Sequence, residues 1–307
     1  MSLKKQTKAY LYTLLAVFFW STAASAFKIA LHYVTPFILL FYSTLFSFIA
    51  LFAILTVQGR ISDLFRISRS QVFKAALLGF INPFFYYLVI FKAYSLLPGQ
   101  IAMAINYGWP LALTLLSVPI LKQTLSQVQL ISIGISFSGA IVIAMGGGVG
   151  TFSELSKIGI VLVFFSTIIW ALFWLLNARD GLDPLLKLFL GFGFGLLYAT
   201  VFSPFFGGLS FPQPLALLPL AYIGLFEMGI TFVLWLTALQ LSSSAARVGN
   251  LIYISPFLSL VFLWLIVGEK IHLSTFAGLF LIVGSILLQE IYPKNNLTPL
   301  KKRKSNV

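Results

Sequence analysis

Apolar residues in this chain fall into ten long runs separated by short polar connections. The runs cover approximately 9 to 31, 36 to 57, 72 to 96, 99 to 120, 126 to 145, 157 to 177, 185 to 207, 215 to 240, 244 to 267 and 272 to 292. A helix crosses the hydrocarbon core with about 20 apolar residues at a rise of about 1.5 Å each, so ten membrane-spanning helices are predicted. The connections carry turn residues, as in Gln58-Gly59-Arg60, Pro98-Gly99, Gly146-Gly147-Gly148 and Asp180-Gly181.

Two of the runs contain a helix breaker in corresponding surroundings. Asn106-Tyr107-Gly108-Trp109-Pro110 lies in span 4, and its partial echo Ile252-Tyr253-Ile254-Ser255-Pro256 lies in span 9, 146 positions later. Proline cannot donate to the carbonyl four residues back, so Pro110 frees the carbonyl of Asn106 and Pro256 that of Ile252. Broken helices are tolerated in a bilayer where they face other helices or a watered cavity. Paired breaks in the two halves of a polytopic chain point to a central solute site, with Pro110 and Pro256 as hinges in the moving helices.

The halves repeat. Trp20 aligns with Trp170, Gly79 with Gly224, Ala93 with Ala238, Pro110 with Pro256, Gln123 with Glu269 and Gly139 with Gly284, at offsets of 145 to 150. Five helices per copy is an odd number, so the copies must run in opposite senses across the membrane. The predicted fold is therefore all-α and integral to the membrane: ten transmembrane helices as two inverted five-helix repeats (5+5). Its parts are an N-terminal segment 1–8, a first repeat 9–145, a connecting loop 146–156, a second repeat 157–292 and a basic tail 293–307.

Composition agrees with a bilayer as solvent: 60% of the 307 residues are hydrophobic and 9% charged. The net charge of +13 does not mark a nucleic-acid binder, because the cations sit in short loops and tails. With the N-terminus in the cytoplasm, 16 of the 20 Lys and Arg fall on the inside and only Lys28, Lys92, Lys157 and Lys270 outside. The positive-inside rule thus predicts both termini cytoplasmic, and the tail Lys301-Lys302-Arg303-Lys304 fits an inside stop signal. Lys4-Lys5, the apolar run after them and Ala24-Ser25-Ala26 imitate a cleavable signal peptide, but cleavage would remove a helix that has a counterpart in the second repeat. A bacterial inner membrane suits this plan.

With no Cys, and with His32 and His272 in no zinc pattern, neither a metal nor a cofactor is expected. No His-Glu-x-x-His, phosphate loop or Asp cluster suggests an enzyme, and no catalytic residue is assigned. The candidate site instead consists of polar and aromatic residues at helical spacing within spans. On span 1 these are Trp20 and Ser21, on span 3 Asn82 and Tyr86, on span 4 Asn106, Tyr107 and Trp109. Span 6 contributes Ser166 and Trp170, in a stripe with Trp174 and Asn177, and span 9 contributes Asn250 and Tyr253. The repeat maps Asn82 and Tyr86 onto Glu227 and Thr231 of span 8. Glu227 is the one carboxylate well inside a span, and an ionisable group there costs about 2.5 to 3.5 kcal/mol on the insertion scale. A proton carrier, a binder of a substrate ammonium group and a protonated structural Glu are all compatible with that position. Lys28, near the outer end of span 1, is expected to snorkel rather than meet a substrate. Small residues on spans 5 and 10, Ser132, Ser136, Ala140, Gly278 and Gly284, allow close helix packing, whether inside a monomer or across a homodimer.

Trp20-Ser21-Thr22 in span 1, a Pro in each of spans 4 and 9, and Gly268-Glu269-Lys270 closing span 9 together resemble the EamA-type branch of the drug/metabolite transporter superfamily, from about Ala9 to Tyr292. Leu121-Lys122-Gln123 departs from the Gly-Glu-Arg usual at that place in the first repeat. Asn106-Tyr107-Gly108-Trp109-Pro110 is similar to the Asn-Tyr-x-Trp-Pro of bacterial exporters for aromatic amino acids. The resemblance implies export of small metabolites, foremost amino acids with aromatic or bulky apolar side chains, by alternating access. A cationic drug exporter, or an importer of a nucleotide-like metabolite, would use the same fold. The partners expected are a small-molecule substrate and the lipid bilayer.

Overall fold

A computed structural model describes residues 3–122, 125–144, 155–177, 182–242 and 250–291. Gln123, the glycine-rich connection around 146, Arg179 and the basic tail lie outside them, as does the side chain of Asn250. Among the described residues all regular structure is helical. The helices are α1 (Leu3–Tyr33), α2 (Pro36–Val57), α3 (Arg69–Leu96), α4 (Gly99–Ile120) and α5 (Gln127–Ala144) in the first half. The second half holds α6 (Lys157–Asn177), α7 (Pro184–Phe202), α8 (Pro214–Leu241), α9 (Leu251–Val267) and α10 (Leu273–Ile291). By length and composition seven are fit to cross a membrane, and α5, α9 and α10 are shorter apolar helices.

The helix starts follow from local chemistry. Thr35 accepts from the Ile38 N–H (3.3 Å) ahead of Pro36, and Asp183 accepts from Leu185 and Leu186 N–H (3.0 and 3.2 Å) ahead of Pro184. In each case a side-chain oxygen satisfies an orphan N–H, while the proline occupies a first-turn position where no donor is needed. Ser68 and Gln71 form a reciprocal capping box at the start of α3. The predicted turn at Gln58-Gly59-Arg60 forms, with Gly59 at φ +67°, a left-handed conformation that costs glycine little.

Packing exchanges helices between the halves. α1 lies against α8 and α9, while its counterpart α6 lies against α3 and α4. A side chain on Gly79 of α3 would stand 2.5 Å from the carbonyl oxygen of Gly191 on α7, so the two backbones touch there. The same crossing recurs between α8 and α2, where a side chain on Gly224 would collide with the backbone of Ser43. Gly79 and Gly224 are 145 residues apart and Ser43 and Gly191 are 148 apart, which is the repeat offset read from the sequence. The duplication is thus visible as one contact made twice. α5 and α10 pack together, with Gly139 and Gly278 facing each other's backbones. Large apolar side chains such as Phe137, Leu218, Trp264 and Phe280 are exposed on the outside of the bundle, a surface suited to hydrocarbon and not to water.

Helix breaks occur where proline predicts them and also where it does not. α4 unwinds at Tyr107–Gly108 and resumes at Trp109, with Pro110 in the new first turn. A 3-10 turn over Asn250–Ile254 leads into α9, whose α-helical part begins at Ser255 and Pro256. The sequence reading placed one break in each repeat, but the structure has a second pair. In α3 a π-type turn spans Phe80–Phe85, with Asn82 in an extended conformation (φ −149°, ψ 123°) before a cis bond to Pro83. In α8 a π-type turn spans Ile223–Gly229 without any proline, and the Thr231 hydroxyl donates to the carbonyl of Phe226, five residues back. A π-turn advances the chain with a different angular step from an α-helix, so residues four apart across it do not share a face.

Candidate functional site

A cavity of about 300 Å³ sits between the two halves, walled by α1, α3 and α4 from the first and α6, α8 and α9 from the second. α1 contributes Trp20, Ala23, Ala24 and Phe27, and α3 contributes Tyr86, Ile90 and Tyr94. Met103, Asn106, Tyr107 and Trp109 flank the break in α4. Trp170 and Trp174 enter from α6, Glu227 and Trp235 from α8, and Ile252 and Ser259 from α9. The aligned pair Trp20 and Trp170 pack against the same ring, their centroids 5.9 and 6.0 Å from that of Phe232. Trp235 lies 5.4 Å from Trp20, and Tyr86 lies 4.6 Å from Trp170. More than half of the lining residues are aromatic, a wall suited to a planar or bulky apolar group.

Glu227 is the only Asp, Glu, Lys, Arg or His among the described residues that line this space. The break in α8 carries it, and the Tyr87 hydroxyl from α3 donates to its Oε1 (3.2 Å). Its Oε2 is buried and has no hydrogen-bond partner. One carboxylate oxygen is thus held and the other is buried unpaired, a costly state for a polar group in apolar surroundings.

The other polar candidates are largely committed to holding the walls. The Tyr86 hydroxyl donates to Asn106 Oδ1 (3.2 Å), and Asn106 Nδ2 donates to Ser166 Oγ (2.9 Å), joining α3, α4 and α6. The Tyr107 hydroxyl donates to Ser255 Oγ (2.8 Å), which stands 3.1 Å from Ser21 Oγ, so α4, α9 and α1 meet at one buried hydroxyl cluster. Of the predicted site residues, Trp20, Tyr86, Asn106, Tyr107, Trp109, Trp170 and Glu227 line the cavity. Ser21 and Ser166 stand behind it as partners of Ser255 and Asn106. Thr231 is turned to its own helix backbone, and Tyr253 packs against the core. Asn82 lines a separate cavity, because its extended backbone takes it off the face of Tyr86.

Tyr94, Trp174 and Trp235 line the cavity without having been assigned to it. The signal was present: Trp235 lies eight residues after Glu227 and Tyr94 eight after Tyr86, two turns along one face. Lys28 does not snorkel as expected. Its Nζ donates to the carbonyls of Tyr94 (3.2 Å) and Leu97 (3.1 Å), capping the end of α3. Beside it, Gly99 and Gln100 N–H donate to Glu269 Oε1 and Oε2 (2.6 and 3.0 Å), so the carboxylate of Gly268-Glu269-Lys270 caps α4 across the repeat boundary. Gln100 completes the clasp, donating from Nε2 to Lys270 O (2.8 Å) and accepting at Oε1 from Thr275 Oγ1 (2.9 Å).

Comparison with known proteins agrees with this architecture. The model of the EamA-like transporter family matches residues 7–145 and again 157–289. Two Bacillus subtilis (strain 168) proteins are similar, each described as an uncharacterized transporter. YdfC is 27% identical over 288 residues, 92% of this chain and 91% of YdfC. YvbV is 27% identical over 198 residues, 62% of this chain, and the match spans 63% of YvbV, a little under two thirds of its length. A solved structure described only as "Crystal structure of protein" superposes with a TM-score of 0.66 at 21% identity, over 93% of this chain and 97% of that one. At that identity the likeness speaks for the fold alone.

Proposed function

Because the chain belongs to the EamA-like transporter family, we propose that it exports an amino acid with an aromatic or bulky apolar side chain, carried through the central cavity by alternating access of its two repeats. The observation that supports this reading is the unpaired Oε2 of Glu227 beside a cavity more than half of whose lining residues are aromatic. The carboxylate receives the substrate ammonium group, the indole N–H groups of the walls offer donors to its carboxylate, and the side chain stacks between Trp20, Trp109 and Trp170. Pro110 and Pro256 lie where α4 and α9 already depart from helical geometry, so these helices bend there as the repeats rock. The charge bias of the loops supports a bacterial inner membrane with both termini cytoplasmic, and export as the direction rests on the resemblance of Asn106-Tyr107-Gly108-Trp109-Pro110 to bacterial exporters.

A quaternary ammonium or other cationic drug would use the same carboxylate and aromatic walls, and is the second reading. Counterflow in proteoliposomes separates the two: vesicles loaded with unlabelled Phe, Trp, Thr or a quaternary ammonium compound are followed for uptake of the matching labelled compound. Accumulation of Phe and Trp, reduced at least about tenfold by Trp109→Ala, is expected from the loss of one stacking face. Accumulation of the cation alone, abolished by Glu227→Gln, moves the assignment to drug export.

A further inference from the structure

A second cavity of about 280 Å³ lies between α3, α6, α7 and α8 and shares Trp174 with the central one. It is lined by the end of α6 (Asn177) and the start of α7 (Pro184, Lys187), the side that the charge bias predicts to be cytoplasmic. Three buried polar atoms of its lining residues have no hydrogen-bond partner among the described residues: Asn82 Oδ1, Trp174 Nε1 and Asn177 Oδ1. Asn82 is only 3% exposed and sits in the break of α3, where the backbone is extended. Buried polar groups in a membrane protein are costly to leave unmatched, and broken helices are tolerated where they border a cavity that supplies partners. Lys187 adds a cation here, its Nζ donating to the carbonyl of Asn177 at 3.1 Å.

We infer that this cavity is a second binding site, on the cytoplasmic side of Trp174, for the zwitterionic head of the transported solute before it reaches the central cavity. The donor and acceptor set divides accordingly. The side-chain oxygens of Asn82 and Asn177 accept from an ammonium group, while the Trp174 N–H and the Lys187 ammonium face a carboxylate. A purely cationic guest leaves the Trp174 N–H unmatched, and a purely anionic one leaves the two acceptors unmatched, so the site favours a molecule that carries both charges. Trp174 is the partition between the chambers, with its ring lining both. The inference rests on the amino-acid reading given above, and the following measurement distinguishes failure of one from failure of the other.

Equilibrium dialysis of the full chain in detergent against labelled Phe is expected to give two Phe per chain. Asn177→Ala and Asn82→Ala should each leave one, and Trp109→Ala should remove the other. In proteoliposomes Asn177→Ala is expected to raise half-saturating Phe roughly tenfold on the cytoplasmic face and to leave the opposite face unchanged, from the loss of one hydrogen bond to a charged group. Asn177 is half-buried at a helix end, so its variant tests the site even if Asn82→Ala fails to fold. One Phe per chain in the wild type, lost entirely in Trp109→Ala, would overturn the second site, leave a water-filled chamber in its place and keep the central-site reading. Absence of Phe binding in folded protein would overturn both.

Discussion

At the scale of single residues Glu227 stands out for the contrast between its two oxygens. Tyr87 donates to one, and among the described residues nothing donates to the other. Glu227→Gln keeps an acceptor for Tyr87, so the fold is expected to survive with unchanged thermal unfolding. Phe counterflow should fall at least about tenfold, because a charge-assisted contact is replaced by a neutral one. Unchanged Phe counterflow in this variant would make Glu227 a structural group and remove the ammonium site. The sequence singled out this residue because a lone carboxylate within a span is conspicuous. It also paired Glu227 with Asn82 through the repeat, and here one dihedral angle decides: the extended backbone at Asn82 carries that side chain into another cavity.

Helix crossings and helix breaks are the relevant features at the scale of elements. α5 and α10 approach so closely at Gly139 and Gly278 that a side chain on Gly139 would lie 2.6 Å from the Gly278 carbonyl oxygen. Gly139→Val must push the two helices apart, at a cost of about 1 to 3 kcal/mol for an overpacked contact. A lowered unfolding temperature in detergent, with half-saturating Phe unchanged, is the expected result, since neither helix lines the central cavity. A changed affinity with unchanged stability would mean that this pair moves with the site. The breaks in α4 and α9 could be read from Pro110 and Pro256. The break in α8 could not, because no proline marks it and a threonine hydroxyl bonded to the Phe226 carbonyl accompanies it instead.

At the scale of the whole molecule the two repeats are tied at both ends of the bundle. At one end Glu269 caps α4, and at the other Arg60 bridges Asp63 (3.0 Å) and Asp183 (3.1 Å), joining the α2–α3 connection to the cap of α7. The bridge is about one third exposed, so its worth to stability is no more than about 1 kcal/mol, and its interest is where it lies. If the repeats separate on that side during transport, fixing the bridge stops the cycle. The chain has no cysteine of its own, which makes the Arg60→Cys/Asp183→Cys pair a clean probe. Bridging the pair with a short bifunctional methanethiosulfonate, which forms a disulfide with each thiol, is expected to abolish counterflow, and reduction to restore it. Full activity of the bridged protein would place the moving surfaces elsewhere.

The sequence by itself determined the solvent, the number of spans and the inverted duplication, because these depend on run length, on charge placement and on a residue pattern that repeats at a fixed offset. It also pointed to aromatic rings from both halves and one carboxylate as lining a central cavity, where the structure has them, since in hydrocarbon a polar group has few other places to face. Tertiary structure decided which of those residues touch the cavity. Ser21, Ser166 and Thr231 had the right chemistry and spacing, yet their hydroxyls bond Ser255, Asn106 and the Phe226 carbonyl, partners that come within reach only through the packing of helices or the opening of a π-turn. Helical periodicity predicts a shared face only while each residue turns the chain by the same angle. Where α3 and α8 abandon that angle, the geometry of the break assigns each side chain its place.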